Sequence, residues 1–214
     1  MSTTEKVVRA LASGSTCSGE MLASTLGVSR SAVWKGVKSA RQLGLDIVAI
    51  RGTGYSLRTP IEMFDPKAIR EQFENRESEY LAGLDVFFRV ESTNSKLLSK
   101  SRSGWTKGWV TLAECQTSGR GRRGRSWKSP LGGNIYASVS WTYDGMARGL
   151  GGLSLAIASE VVALLENMGV HDLWIKWPND IVYKDAKLGG ILVEIVGEAN
   201  GTCLVVCGIG LNVR

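Results

Sequence analysis

Two stretches of this chain carry side chains suited to holding an anion. Residues 119–125 read GRGRRGR, with Trp127 just beyond, and residues 176–180 and 187–194 read KWPND and KLGGILVE. The first brings the guanidinium groups of Arg120, Arg122, Arg123 and Arg125 on a backbone whose glycines leave the amides accessible. The second places Lys176 and Lys187 at set positions on two strands joined by a short turn. Backbone N–H groups and fixed positive charge together favour an anionic, phosphorylated ligand. A third set, Ser92-Thr93-Asn94, falls where a strand runs into a helix, and Gln116 lies beyond the next strand, at the mouth of the glycine–arginine loop. Short hydroxyl and amide side chains at such a junction can point donors and acceptors at one polar ligand, although N-capping of the helix is the simpler reason for them.

The loop also has the spacing G-x-G-x-x-G at Gly119, Gly121 and Gly124. A dinucleotide-binding fingerprint must open a helix, and Ser126-Trp127-Lys128-Ser129-Pro130 blocks one here. The segment is too short, and too closely bracketed by strands, for a disordered RGG-like RNA-binding tract. The single histidine, His171, reads as a polar residue in a turn, and Cys17, Cys115, Cys203 and Cys207 form no CxxC pair. No zinc site is expected from that set. Cys203 and Cys207 lie in an apolar run and read as small core residues.

The elements that must position these groups follow from periodicity. Residues 85–90, 109–114 and 134–142 read as strands, the last with alternating apolar residues. A helix opens at Asp65-Pro66 and runs to about Phe73, and a short one follows Asn94 to about Ser101. Residues 150–168 form a helix with Leu153, Ile157, Val161, Leu164, Leu165 and Met168 as a core stripe, closed by Gly169. Strands are expected at 173–177, 181–183 and 188–196, the last two pairing around Lys184-Asp185-Ala186. Asn200-Gly201 marks a hairpin turn into a strand over 202–212. Gly189, Gly190, Gly208 and Gly210 lie inside strands, where glycine weakens the ladder, so a ligand is expected to approach the backbone closely there.

The net charge is +6 over 214 residues, but it is unevenly placed: residues 1–60 hold eight Lys/Arg against three Asp/Glu, and residues 61–214 hold eighteen against seventeen. A polyanion should therefore bind the N-terminal segment. Helices are expected at 4–12, 18–26 and 30–43, with Ser18 and Ser29 as N-caps and Gly44 closing the third. Met21, Leu22 and Leu26 should face inward from the second. Ala32, Val33, Gly36, Val37 and Ala40 form the buried face of the third, and Arg30, Ser31, Trp34, Lys35, Lys38 and Arg41 its open face. Helix, tight turn and a helix with a basic N-terminal end make a helix-turn-helix, whose second helix enters the major groove. Residues 46–50 and 55–57 then form a hairpin "wing" whose tip, Arg51-Gly52-Thr53-Gly54, brings Arg51 to a phosphate. A protein-interaction module with a solvated charged face is the competing reading, and an exposed Trp34 argues against it. Ser29, Arg30, Ser31, Trp34, Lys35 and Arg51 are the candidate DNA contacts, and 58–60 reads as a linker. With 43% hydrophobic residues and seven tryptophans, the chain can build a core. It shows no apolar leader and no stretch able to span a bilayer, so a cytoplasmic protein with reduced thiols is expected.

In order, the winged helix, Ser92-Thr93-Asn94, Gln116, GRGRRGR-x-W, KWPND, KLGGILVE and the GIGLN at 208–212 resemble the bifunctional bacterial biotin–protein ligases that also act as biotin operon repressors. The resemblance runs over residues 5–214. It implies a mixed α/β (α+β) chain, with a winged helix-turn-helix domain at 1–60 and a catalytic domain at 61–214 related to class II aminoacyl-tRNA synthetases. It implies a ligase that uses ATP, with Mg²⁺ carried by the nucleotide, to make biotinyl-5′-AMP and then passes biotin to a lysine of a biotin carboxyl carrier protein. It further implies a repressor for which biotin is effector as well as substrate, its adenylate-bound homodimer binding operator DNA. By the same resemblance, Ser92, Thr93, Asn94, Gln116, Arg120, Gly121, Arg122 and Lys187 bind biotin, and Lys187 and Arg122 are catalytic. Arg125, Trp127, Lys176, Asp180 and Asn212 surround the nucleotide, and no metal is held by the protein. Members of this type continue past GIGLN into further catalytic residues and a small β-barrel. This chain stops at Arg214, so a fragment or truncated protein with an uncovered strand edge is expected. Two other readings are a biotin-sensing repressor with little or no ligation, and lipoate ligation on the related fold. The second is disfavoured by KWPND and GRGRRGR together with a DNA-binding domain.

Overall fold

Each of the first three helices begins at a serine. In the computed structural model, which describes residues 1–74, 82–101, 108–144, 150–197 and 202–213, α1 (Thr3–Leu11), α2 (Gly19–Leu26) and α3 (Arg30–Gln42) are capped by Ser2, Ser18 and Ser29. Their hydroxyls accept from the N–H groups of Glu5, Met21 and Ala32 at 3.2, 3.0 and 3.2 Å. Each cap satisfies an amide that the helix itself cannot. α3 buries Val33, Gly36, Val37 and Ala40 and packs on α1, which buries Val7, Val8 and Leu11. In α2 only Leu22 is buried, and Met21, expected to face inward, is exposed. Neighbours on a helix diverge by about 100°, so the core position taken by Leu22 turns Met21 outward. β1 (Ile47–Ile50) and β2 (Gly54–Leu57) pair antiparallel, with Ile47 opposite Leu57 and Ile50 opposite Gly54, and Arg51 begins the exposed turn between them. The wing is tied back by Arg41, whose Nε donates to the Ile47 carbonyl at 2.9 Å.

The chain forms two compact units, Met1–Phe64 with Pro130–Gly133, and Asp65–Ser129 with Asn134–Arg214. The second starts at α4 (Pro66–Glu74), where Asp65 Oδ1 accepts from the Lys67 N–H at 2.9 Å. Its centre is a seven-stranded sheet of β3 (Gly83–Phe87), β4 (Trp109–Ala113), β5 (Asn134–Asp144), β6 (Leu173–Lys176), β7 (Asp180–Tyr183), β8 (Ala186–Gly197) and β9 (Thr202–Asn212). The order across the sheet is β3-β4-β5-β9-β8-β7-β6, antiparallel except for the β3–β4 pair. The last strand is therefore central, paired to β5 on one side and β8 on the other, and is not the open edge expected of a chain end. Asn200-Gly201 lies outside the described residues.

Helices α5 (Thr93–Ser101) and α6 (Leu153–Asn167) cover different parts of this sheet. Leu97 of α5 packs with Leu204 and Val206 of β9, whereas Ala158 of α6 packs with Cys207 and Leu211 of the same strand. Side chains of opposite parity point to opposite faces of a strand, so both faces of β9 are buried. This is why β5 buries Tyr136, Ser138 and Ser140 on one face while Ile135 and Trp141 pack into the α6 cluster on the other. The α6 stripe is only partly core: Ile157 and Val161 pack inward, but Leu164 and Met168 are exposed. The last turns of the helix carry those two residues off the sheet.

Candidate functional site

Where the chain leaves β3 and enters α5, Ser92, Thr93 and Asn94 are all buried, and buried polar groups must find partners. Ser92 Oγ accepts from the Ser95 N–H at 3.4 Å as a helix cap. Gln116, just past β4, accepts at Oε1 from the Thr93 N–H (2.8 Å) and hydroxyl (3.2 Å) and donates from Nε2 to Ser129 Oγ at 3.0 Å. The Ser138 hydroxyl, fully buried on β5, stands within hydrogen-bonding distance of both Thr93 Oγ1 (2.7 Å) and Asn94 Oδ1 (2.6 Å). Asn94 Nδ2 in turn donates to Glu194 Oε2 at 2.8 Å. The result is a continuous polar floor whose members hold one another in place.

The glycine–arginine loop folds on itself above this floor. Gly121 N–H donates to the Arg125 carbonyl at 2.7 Å, and Trp127 N–H to the Gly119 carbonyl at 2.8 Å. A single 3-10 turn spans Arg122–Gly124, and no α-helix starts there, as the Ser-Trp-Lys-Ser-Pro sequence requires. Arg120, itself exposed, reaches back to Glu194 at 3.0 Å, and Arg122, Arg123 and Arg125 are exposed as well. Trp127 packs against the sheet at Gly190 and Gly210. A Cβ at Gly210 would stand 2.7 Å from its indole, and one at Gly208 would run into Asn94 Oδ1. A Cβ at Gly189 would meet Leu211, and one at Gly190 would sit 3.3 Å from Trp127. These glycines admit the protein's own side chains to the strands, and Gly190, Gly208 and Gly210 also line the cleft described below. The indole Nε1 is buried and has no hydrogen-bond partner among the described residues.

KWPND turns the chain from β6 into β7 through a cis Trp177–Pro178 peptide. Asn179 clamps this turn to β8: its Nδ2 donates to the Ile191 carbonyl at 2.8 Å, and the Ile191 N–H donates to the Asn179 carbonyl at 2.9 Å. Asp180 Oδ1 pairs with Lys187 Nζ at 2.7 Å, and that ammonium also stands 5.2 Å from the Trp127 ring centroid. Lys176 and Trp177 are exposed at the rim.

A cleft of about 450 Å³ is lined by Ser92, Thr93, Asn94, Gln116, Arg120, Gly121, Arg122, Arg125, Trp127, Lys176, Asp180 and Lys187, so residues far apart in sequence share one cavity. Asn212 does not line it; its Nδ2 donates to the Lys187 carbonyl at 3.0 Å and steadies that lysine's backbone. Sequence reasoning passed over Ser138, Ser129, Asn179 and Glu194. Asn179 and Glu194 sit inside the KWPND and KLGGILVE motifs, whereas Ser138 gave no sign beyond a serine in an alternating strand. The cleft lining includes the carboxylate Asp180, already paired with Lys187, beside several cations, a donor set that does not fit a divalent cation caged by the protein. Nor is a thiolate at hand. Burial pushes the Cys115 thiol up to about 11 and Cys207 to about 12, so both stay protonated near neutrality.

In the other unit, Ser29, Arg30, Ser31, Trp34, Lys35 and Arg51 are all exposed. Ser29 Oγ is committed to its cap and to Ser31 Oγ at 2.9 Å. Trp34 is 54% exposed, with Lys38 Nζ 5.5 Å from its ring centroid. A large apolar ring held on the open face of a capped, basic helix suits a nucleic-acid surface better than bulk water.

The chain thus combines a helix-turn-helix unit with a mixed sheet bearing a cationic, polar-floored cleft. Residues 86–212 match the biotin/lipoate A/B protein ligase family and residues 3–56 an HTH domain; the chain belongs to the biotin/lipoate A/B protein ligase family. It is 39% identical over 208 residues to the bifunctional ligase/repressor BirA of Escherichia coli (strain K12), covering 97% of this chain and 62% of that protein. To the Bacillus subtilis (strain 168) protein of the same name it is 32% identical over 198 residues, covering 92% and 60%. The crystal structure of biotin acetyl coenzyme A carboxylase synthetase from Helicobacter pylori, with bound biotinylated ATP, aligns with a TM-score of 0.49 and 30% identity over 61% of this chain and 60% of that one. The chain spans less than two thirds of the length of these relatives.

Proposed function

We propose that this chain activates biotin with ATP, transfers it to a lysine of a biotin carboxyl carrier protein, and represses transcription in response to the same ligand. One arrangement carries the reading: a floor of fixed donors and acceptors lies in the same cleft as Lys187, the loop arginines and Trp127. A cyclic urea needs donors for its carbonyl and acceptors for its N–H groups, and Ser92, Thr93, Asn94 and Gln116 supply both.

The carboxylate of biotin attacks the α-phosphorus of ATP. A carbon–oxygen–phosphorus anhydride forms, the bond to the β-phosphate oxygen breaks, and pyrophosphate leaves with its electron pair. Two anions must meet in this step, and the barrier falls when fixed cations stand beside them. Lys187 and Arg122 take that role, with Arg120 and Gly121 closing over biotin and Arg125, Lys176 and Asp180 near the nucleotide. Asn212 acts through the backbone of Lys187. The buried indole N–H of Trp127 would gain an acceptor from the adenylate, and its ring shields the labile anhydride from water. The carrier's neutral lysine amine then attacks the carbonyl carbon, and AMP departs. Mg²⁺ carried by the nucleotide phosphates would offset part of their charge.

Residues 1–60 carry operator recognition through Ser29, Arg30, Ser31, Trp34, Lys35 and Arg51, and residues 61–214 the ligand chemistry. The adenylate favours a homodimer matched to a two-fold operator, in the cytoplasm. No helix among the described residues is long and apolar enough to cross a membrane. The test is transfer of labelled biotin to a carrier domain with ATP and Mg²⁺, beside Lys187→Ala. Labelling that the variant lacks supports the ligase. Tight biotin binding without labelling leaves a biotin sensor, and lipoate labelling in place of biotin overturns the substrate.

A further inference from the structure

One carboxylate belongs to the polar network of the cleft without entering the chemistry proposed above. Glu194 lies on β8, with its side chain 24% exposed. Its Oε2 accepts from Asn94 Nδ2 at 2.8 Å and from Arg120 Nη2 at 3.0 Å, and the same Nη2 stands 3.0 Å from Oε1. A single side chain is thus both the acceptor for the floor amide and the counter-ion of the loop.

The surroundings leave Asn94 little freedom. Its Oδ1 is taken by Ser138, its Nδ2 also reaches the Leu192 carbonyl at 3.3 Å, and the bare backbone of Gly208 lies against it. The loop, by contrast, is held mainly by bonds to itself, from Gly121 to Arg125 and from Trp127 to Gly119. Besides the packing of Trp127 on the sheet, its side-chain hydrogen bonds to the floor among the described residues include Arg120–Glu194 at one end and, at the other, Ser129, which bonds Gln116 and the Trp127 carbonyl. A half-exposed ion pair by itself contributes little. A carboxylate shared between a buried amide and a guanidinium does more, because moving either donor disturbs the other.

We infer that Glu194 is a positioning residue that couples the cationic loop to the head-group floor, orienting Asn94 for biotin and holding Arg120 over the occupied cleft. The inference rests on the biotin reading for the ligand, but the coupling itself exists in the ligand-free protein. It predicts that the two roles come apart under substitution. Glu194→Gln keeps an acceptor for Asn94 and removes the charge facing Arg120; Glu194→Ala removes both.

The test uses the whole chain, with melting temperature as the control for folding. In the ligand-free protein, trypsin should cut at the loop arginines several times faster in Glu194→Gln than in wild type. Biotin affinity by calorimetry should fall by less than about threefold in Glu194→Gln and by about tenfold in Glu194→Ala, the size expected for losing one hydrogen bond to a charged group. Purified biotinyl-5′-AMP should leave Glu194→Gln about tenfold faster than wild type. Arg120→Gln should do the same, and the double variant should be no faster than either single one, since both remove one coupling. Rates that multiply in the double variant, or unchanged loop cleavage in Glu194→Gln, overturn the inference. Faster loop cleavage in a protein that binds no biotin in its wild-type form upholds the coupling and overturns the biotin reading instead.

Discussion

The floor of the cleft and its rim are both built from polar side chains, yet they are held in opposite ways. On the floor, Thr93, Asn94, Gln116 and Ser138 are joined to one another and to Ser129 and Glu194 by bonds of 2.6–3.2 Å. At the rim, Arg122, Arg123, Arg125 and Lys176 are exposed and form no ion pair among the described residues. Burial explains the contrast. A buried polar atom left unpaired costs about 1–3 kcal/mol, so the floor must be complete before a ligand arrives. An exposed guanidinium is satisfied by water and can wait for a phosphate. The floor therefore suits recognition of a neutral, rigid head group, and the rim suits a charged group brought in by a second substrate.

Breaking each region should give different signatures. The largest effect is expected at the boundary, where Lys187 is paired with Asp180 but exposed enough to be recruited. Lys187→Ala should slow pyrophosphate release from biotin and ATP by about 10²–10³-fold, the usual cost of removing one charge-stabilising donor, while biotin affinity changes far less. An equal loss in affinity would place the lysine on the floor instead. Next comes Gly208→Ala, whose methyl enters the space of Asn94. Overpacking of this kind costs about 1–3 kcal/mol, so biotin affinity measured by calorimetry should fall by one to two orders of magnitude with adenylate chemistry otherwise intact once biotin is saturating. Wild-type affinity in this variant would mean that the floor is adaptable and no more fixed than the rim.

Smaller effects test the rim. Arg51→Ala, at the wing tip, extends the same logic to DNA: affinity should drop uniformly across operator sequences, and the slope of log affinity against log salt should lessen by about one. Sequence-selective loss would instead make Arg51 a base reader. Arg123→Ala, on the outward side of the loop, should change biotin affinity by less than about twofold. The least effect is on stability at alkaline pH. Cys115 and Cys207 are neutral in the folded protein up to about 11 and about 12, against an ordinary value of 9.0, because burial disfavours the thiolate. Between pH 9 and about 11 the unfolded chain ionises these thiols and the folded one does not, so stability is full below pH 9 and declines above it. The melting temperature of Cys207→Ala should decline less steeply over that range than that of the wild type.

Much of this was written in local sequence. Serine caps at 2, 18 and 29, glycine after α2 and α3, and the strand and helix periods of the second unit all act over a few residues, and the elements form where those signals stand. The motifs likewise announced which side chains carry charge. Met21 and Leu164 were misplaced because periodicity identifies an apolar face without saying how much of it a neighbour covers. The tertiary structure alone decided the rest. The order β5-β9-β8 sets Ser138 beside Gly208 and Glu194 two positions along from Leu192, the β8 partner of Gly208, although they come from three strands and Asn94 from a helix a hundred positions before Glu194. It made β9 central, buried β5 on both faces, and turned the strand glycines into seats for Asn94 and Trp127. No local pattern encodes that, because a polar residue in a strand looks the same in sequence whether it faces solvent or a buried partner; only strand register supplies the partner.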